Sequence, residues 1–154
     1  MLARRLKQYA LLKRVRKRRE DLKAAALAAA RRDVRNAQHD RDQIEAYQRK
    51  IVEQAMDAAQ GELRPHRANE YIHYERHLAQ LAVKKDAEIA TMELTADERL
   101  AELSEAAQER RIADKLNEKL GQRKLREQAK AEQRIYDELG AVRSAIDAKR
   151  ARGK

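Results

Sequence analysis

Glu70, His73 and His77 stand three and four residues apart. That spacing stacks side chains on one helical face, where a carboxylate and two imidazoles can together hold a divalent cation. No fourth ligand is evident in the sequence, and ordinary surface or seam histidines give the same spacing, so no metal is assigned. Other chemistry is missing. The chain has no cysteine, hence no thiolate nucleophile, no CxxC pair and no disulfide framework. It has neither a phosphate-cradling glycine loop nor an HExxH zinc signature. Catalysis needs convergent groups in a dry pocket, and long paired helices offer little concavity. The sequence therefore reads as a non-catalytic protein with no cofactor and no small-molecule substrate.

The elements that would carry these residues are helices. Charged residues make up 40% of the chain and apolar residues 42%, with no Phe and no Trp, so the aromatic bulk of an ordinary globular core is absent. Ala, Leu, Glu, Lys, Arg and Gln dominate, the composition of chains that bury apolar area along a seam. The single proline, Pro65, follows Gly61 by four residues. Proline lacks a backbone N–H and glycine tolerates a left-handed cap, so Gly61-Glu62-Leu63-Arg64-Pro65 is a stop and a restart. The expected fold is all-α. Helix one runs over about 3–59, a turn over about 60–67 and helix two over about 68–150, folded as a single antiparallel coiled-coil hairpin spanning residues 1–154.

Apolar residues recur at three- and four-residue steps along both halves. In helix one the series is Leu12, Val15, Leu22, Ala26, Ala30, Val34, Ala37, Ile44, Tyr47, Ile51, Ala55 and Ala58. Helix two offers Tyr74, Leu78, Leu81, Ile89, Met92, Ala96, Leu100, Leu103, Ala107, Ala113, Leu116 and Leu120. Each stripe wants a partner, and a short connection makes the other stripe the nearest one. A turn centred near residue 63 sets position i opposite 126 − i, which brings Ile44 near Ala82 and Leu6 near Leu120. Helix one then runs out, and residues from about 124 onward overhang. The overhang keeps a 4-3-4 apolar series, Ile135, Leu139, Val142 and Ile146. Burying four aliphatic side chains contributes several kcal/mol at about 25 cal/mol per Å2, before ordering costs. Self-association into a dimer or bundle would cover this stripe, but the favoured reading is a binding element for a different protein. Gly121 and Gly140 interrupt the helix around it, each costing about 1 kcal/mol relative to Ala.

Charge is sorted along the chain. Residues 1–23 carry ten basic and two acidic groups and residues 120–154 ten and five, whereas residues 52–100 carry six basic and ten acidic ones. Antiparallel pairing would bring both termini to one basic end and leave a mildly acidic turn, a distribution that steers association and weakens with salt. The densest run is Lys13-Arg14-Val15-Arg16-Lys17-Arg18-Arg19, preceded by Arg4, Arg5 and Lys7. Such a cluster suits phosphate backbones, anionic lipid heads, an acidic protein cavity or plain solvent. Nucleic-acid readers usually add aromatic stacking platforms or a groove-binding module; here only Tyr9 lies near the cluster, so nucleic acid is not the favoured partner. The opening Met1-Leu2-Ala3-Arg4-Arg5-Leu6 has no signal-peptide apolar run, and no stretch approaches about 18 apolar residues. A cytoplasmic protein without membrane insertion is expected.

Arg111-Ile112-Ala113-Asp114-Lys115-Leu116-Asn117-Glu118-Lys119, followed by Glu132-Gln133-Arg134-Ile135-Tyr136-Asp137-Glu138-Leu139, resembles the C-terminal helix of the FliJ/YscO family. Similar too are the opening Leu11-Leu12-Lys13-Arg14-Val15-Arg16, the Ala-rich stretch after it, and Tyr71-Ile72-His73-Tyr74 at the start of helix two. The resemblance implies the central stalk of a type III export ATPase, with terminal helices entering the pore of a hexameric ring to promote its assembly and couple ATP hydrolysis to protein export. It also implies an export gate or substrate chaperones at the opposite tip, and a peripheral place at the cytoplasmic face of the export apparatus. The flagellar branch is favoured over the injectisome by the Asp-Glu-Leu ending. On that reading Ile135, Leu139, Val142 and Ile146 contact the ring, and Arg4, Arg5, Arg14, Arg16, Arg18 and Arg19 supply complementary charge. The very basic first turns and Gly121 depart from the family pattern. The alternative is a basic coiled coil that binds nucleic acid, or a homo-oligomeric scaffold held by the overhang.

Overall fold

The computed structural model describes residues 2–61 and 64–153. Two helices account for nearly all of them, α1 (Leu2–Ala59) and α2 (Pro65–Arg152), packed against each other as an antiparallel hairpin. Of the expected turn, Glu62 and Leu63 lie outside the described residues. Around them the physical reasons for the break are visible. The Gln60 N–H donates to the Asp57 carbonyl and the Gly61 N–H to the Ala58 carbonyl, each at 3.3 Å, so α1 closes with tightened three-residue bonds. Gly61 does not adopt the left-handed conformation expected of it; among the described residues no glycine has a positive φ. The tightened last turn gives the Asp57 and Ala58 carbonyls their donors without it. Pro65 opens α2 rather than preceding it, because the first helical position needs no N–H and the proline ring presets φ. The Arg64 carbonyl accepts the first bond of this helix, from the Ala68 N–H at 3.2 Å.

The chain divides into two units, a turn unit (Glu20–Ala106) and a terminal unit (Met1–Arg19 with Ala107–Lys154). In the turn unit the most buried side chains are Leu27, Ala37, Leu78, Ala82 and Ala106. In the terminal unit only Ala113 is buried to that degree among the described residues. Alanine thus dominates both seams. A methyl contributes only about 0.8 kcal/mol when buried, so stability accumulates over length, and small side chains let the helix backbones approach closely.

The seam differs in detail from the one read off hydrophobicity. Val15, Leu22, Tyr47, Tyr74, Leu81, Leu100 and Leu116 were expected in it and are exposed, whereas Leu27 and Ala106 are buried in their stead, together with Ala82, which the register sets opposite Ile44. Half-buried Arg16, Lys23 and Arg41 share the seam line of α1 with Leu12, Val34 and Ile44. Long basic side chains serve there because their methylene stems cover the alanines while the charged heads reach carboxylates across the seam. In the turn unit Lys23 Nζ meets Glu102 Oε2 at 2.8 Å, Arg41 Nε meets Asp86 Oδ1 at 2.8 Å and Lys85 Nζ meets Asp40 Oδ2 at 3.6 Å. In the terminal unit Lys13 Nζ meets Asp114 Oδ1 at 3.4 Å, while Arg16 and Arg19 both reach Glu109 Oε2, Arg19 at 3.2 Å. Every one of these pairs lies within two residues of the register in which i faces 126 − i.

Candidate protein-binding surface

In the terminal unit α1 begins at Leu2, so under that register α2 has nothing opposite it beyond residue 124. From Gln122 to Gly153 every residue of the chain is exposed. Helix continues nevertheless to Arg152, supported by i,i+4 pairs such as Arg123 Nε to Glu127 Oε1 at 3.1 Å and by Lys149, Arg150 and Arg152 against the negative end of its dipole. Along this bare length Ile135, Leu139, Val142 and Ile146 are 47–61% exposed. Turning about 100° per residue, they lie on the same face as Ala113 and Asn117. The stripe is therefore the seam of α2 prolonged past its partner. Leu139, Val142, Arg143 and Ile146 line a shallow groove on it.

The six arginines proposed from sequence to supply charge separate into two groups. Arg4, Arg5, Arg14 and Arg18 are exposed on α1. Arg16 and Arg19 are engaged by Glu109, and Arg16 is half-buried, so this pair holds the two helices together. Sequence reasoning could have found Glu109, since it stands opposite residue 17 in the register. The terminal unit carries 23 basic and 8 acidic residues and the turn unit 13 and 18, net +15 and −5. The positive potential is concentrated on the unit that bears the uncovered stripe.

Glu70, His73 and His77 do not converge on a site. His66 Nε2 takes up Glu70 Oε1 at 3.2 Å, His73 and His77 are exposed, and among the described residues no group of three His, Cys, Asp or Glu is placed to hold a metal ion. Concave surface in the turn unit amounts to shallow grooves, such as the one lined by Gln43, Ala46, Tyr47 and Lys50, where Lys50 Nζ lies 5.9 Å from the Tyr47 ring centre. Among the described residues no helix is long and apolar enough to cross a membrane.

Two paired helices, an alanine seam laced by ion pairs and a C-terminal helix carrying its apolar face beyond its partner define a coiled-coil hairpin with an uncovered end. The family model of the flagellar FliJ protein matches residues 6–150, nearly the whole chain, and the chain belongs to the FliJ family. Membership places it among the helical stalk components of flagellar and type III protein export. No curated protein and no solved structure matches it.

Proposed function

We propose that the protein is the non-catalytic central stalk of a flagellar export ATPase, its terminal helices seated in the pore of a hexameric ring. There it promotes ring assembly and couples ATP hydrolysis, carried out by the ring, to protein export. The observation that carries this reading is the uncovered stripe Ile135, Leu139, Val142 and Ile146 on a unit of net charge +15. An apolar helix face in water is a binding face, and positive charge around it draws an acidic cavity. Exposed Arg4, Arg5, Arg14 and Arg18 meet the ring in this arrangement, while Arg16 and Arg19 keep the hairpin closed through Glu109. The turn end faces the export gate or substrate chaperones, at the cytoplasmic face of the apparatus.

The test mixes the purified chain with the export ATPase of the same organism and measures hydrolysis and hexamer formation. Wild type should stimulate both. A chain ending at residue 124, and Ile135→Asp with Leu139→Asp in the full chain, should lose stimulation while the double variant keeps its helical circular dichroism. Stimulation that survives both changes would remove the overhang from the ring. A fall of the free chain's mass to monomer in the double variant would favour a self-associating scaffold instead.

A further inference from the structure

Arg31, Arg32 and Arg35 stand together on α1 within the turn unit, all three exposed. Helical spacing makes Arg35 a neighbour of both others, at i+4 and i+3, and like charges at those steps weaken a helix. Nothing along α1 offsets them. At three or four residues from any of the three stand only alanine, leucine, valine, asparagine, glutamine, histidine and the arginines themselves, so no carboxylate is a helical neighbour. Several other basic side chains of the turn unit are answered: Arg49 by Glu45 and Arg99 by Glu102 in their own helices, Arg41 by Asp86 across the seam. Among the described residues Arg31, Arg32 and Arg35 take part in no ion pair or hydrogen bond.

The three arginines line one shallow groove whose remaining wall is Ala25 and Ala28, so a single occupant can meet all three guanidinium groups. Arg31 and Arg35 also border a second groove, with Val34, Ala96 and the exposed carboxylates Glu93 and Asp97 of α2. Neither carboxylate takes part in an ion pair among the described residues, so the two stand as a negative border on the α2 side. At about 100° per residue Arg32 lies beyond Arg35, about 140° or more from Leu27 and Val34 of the seam. An anion held between Arg35 and Arg32 is therefore on the flank away from Glu93 and Asp97. The unit as a whole carries a net charge of −5. A long polyanion such as a nucleic acid would meet those acidic residues as well, whereas a short acidic stretch meets only the positive spot. We propose that this groove docks a short acidic segment of a partner protein, presenting two or three carboxylates within about 6 Å, the length of the helical turn from Arg31 to Arg35. All of its residues belong to the turn unit, so the proposal does not rest on the ring contact of the overhang.

The probe is a fluorescein-labelled peptide with three glutamates at i, i+3 and i+4 in an alanine and glutamine background; its control carries glutamine at those three positions. Fluorescence anisotropy is read on the full chain, on the triple variant Arg31→Gln, Arg32→Gln and Arg35→Gln, and on a charge-matched variant of the terminal unit, Arg14→Gln, Lys17→Gln and Arg18→Gln, at exposed positions. The glutamate peptide should bind wild type saturably, and weaken with salt and by about tenfold in the triple variant. The charge-matched variant should bind it as wild type does. Glu93→Gln with Asp97→Asn should tighten binding, because two competing charges leave the border. Thermal melts by circular dichroism separate docking from a structural role: replacing arginines that have no partner in the hairpin should leave the melting temperature unchanged or raise it, since like charges are removed. The proposal is overturned by an absence of binding, by equal binding of the glutamine peptide, or by equal weakening in both triple variants, which would assign the effect to the overall charge of the chain. A melting temperature lowered by the Arg31, Arg32 and Arg35 changes would overturn it too, assigning these arginines to Glu93 and Asp97 within the hairpin. So would a duplex oligonucleotide that binds through the same three arginines more tightly than the peptide, making the groove a nucleic-acid contact.

Discussion

Glu109 shows how one carboxylate decides whether an arginine is structure or surface. It takes both Arg16 and Arg19 from the α1 cluster, with about 30% of its own side chain exposed, which leaves little water to compete for it. Glu109→Gln should therefore lower stability by about 0.5–1 kcal/mol, read by denaturant melts with circular dichroism, whereas Glu118→Gln on the exposed face should change it far less. Glu102 carries a second argument. The hydrogen bond from Lys23, seconded by that from Arg99, holds its carboxyl below the ordinary glutamate range. Its folded-state pKa is depressed, so its contribution is complete above the unfolded value and is lost as pH falls through the folded one. The melting temperature should drop as the solution is acidified through and below the ordinary carboxylate range, and Glu102→Gln should flatten that part of the profile. An unchanged slope in the variant would remove the Lys23–Glu102 contact from the account.

At the scale of the element, the alanine seam sets both the packing and what could be read in advance. Ala113 is 3% exposed. A leucine there has no space between the two backbones, and Ala113→Leu should cost about 1–3 kcal/mol in chemical denaturation. Leu125→Ala, at a position 66% exposed, should stay within about 0.5 kcal/mol. The break at Gly61 and Pro65, the antiparallel pairing and the bare C-terminal stripe were legible because each depends on local chemistry or on counting residues. The phase of the seam was less so. Ala24-Ala25-Ala26-Leu27-Ala28-Ala29-Ala30 presents alanine on every side and gives no angular preference, and only the facing helix selects Leu27 for burial. At Leu22 and Lys23 hydrophobicity points to the wrong neighbour, because Lys23 can cover the seam with its stem and still reach Glu102. Fit between two helices, rather than the apolar content of either, fixes which stripe is inside.

For the whole molecule, the division into units coincides with a division of charge, net +15 against −5, that averaging over the chain reduces to +10. Counting by sequence segment already showed the direction of this asymmetry. Its full extent needed the structure, because residues 107–119 add to the terminal unit only once their pairing with the start of α1 is known. The pairing register carries one more consequence, in time rather than in space. When i faces 126 − i, the segment that must be looped to make a contact shrinks steadily toward Gly61 and Pro65, and so does the entropy lost in closing it. Contacts such as Lys85 with Asp40 close a far shorter loop than Lys13 with Asp114, so assembly should start beside the turn and advance like a zip, each new pair shortening the search for the next. Unfolding should retrace that course from the open end, and the terminal contacts, last to form and first to part, make the end offered to a partner also the most easily remodelled by one.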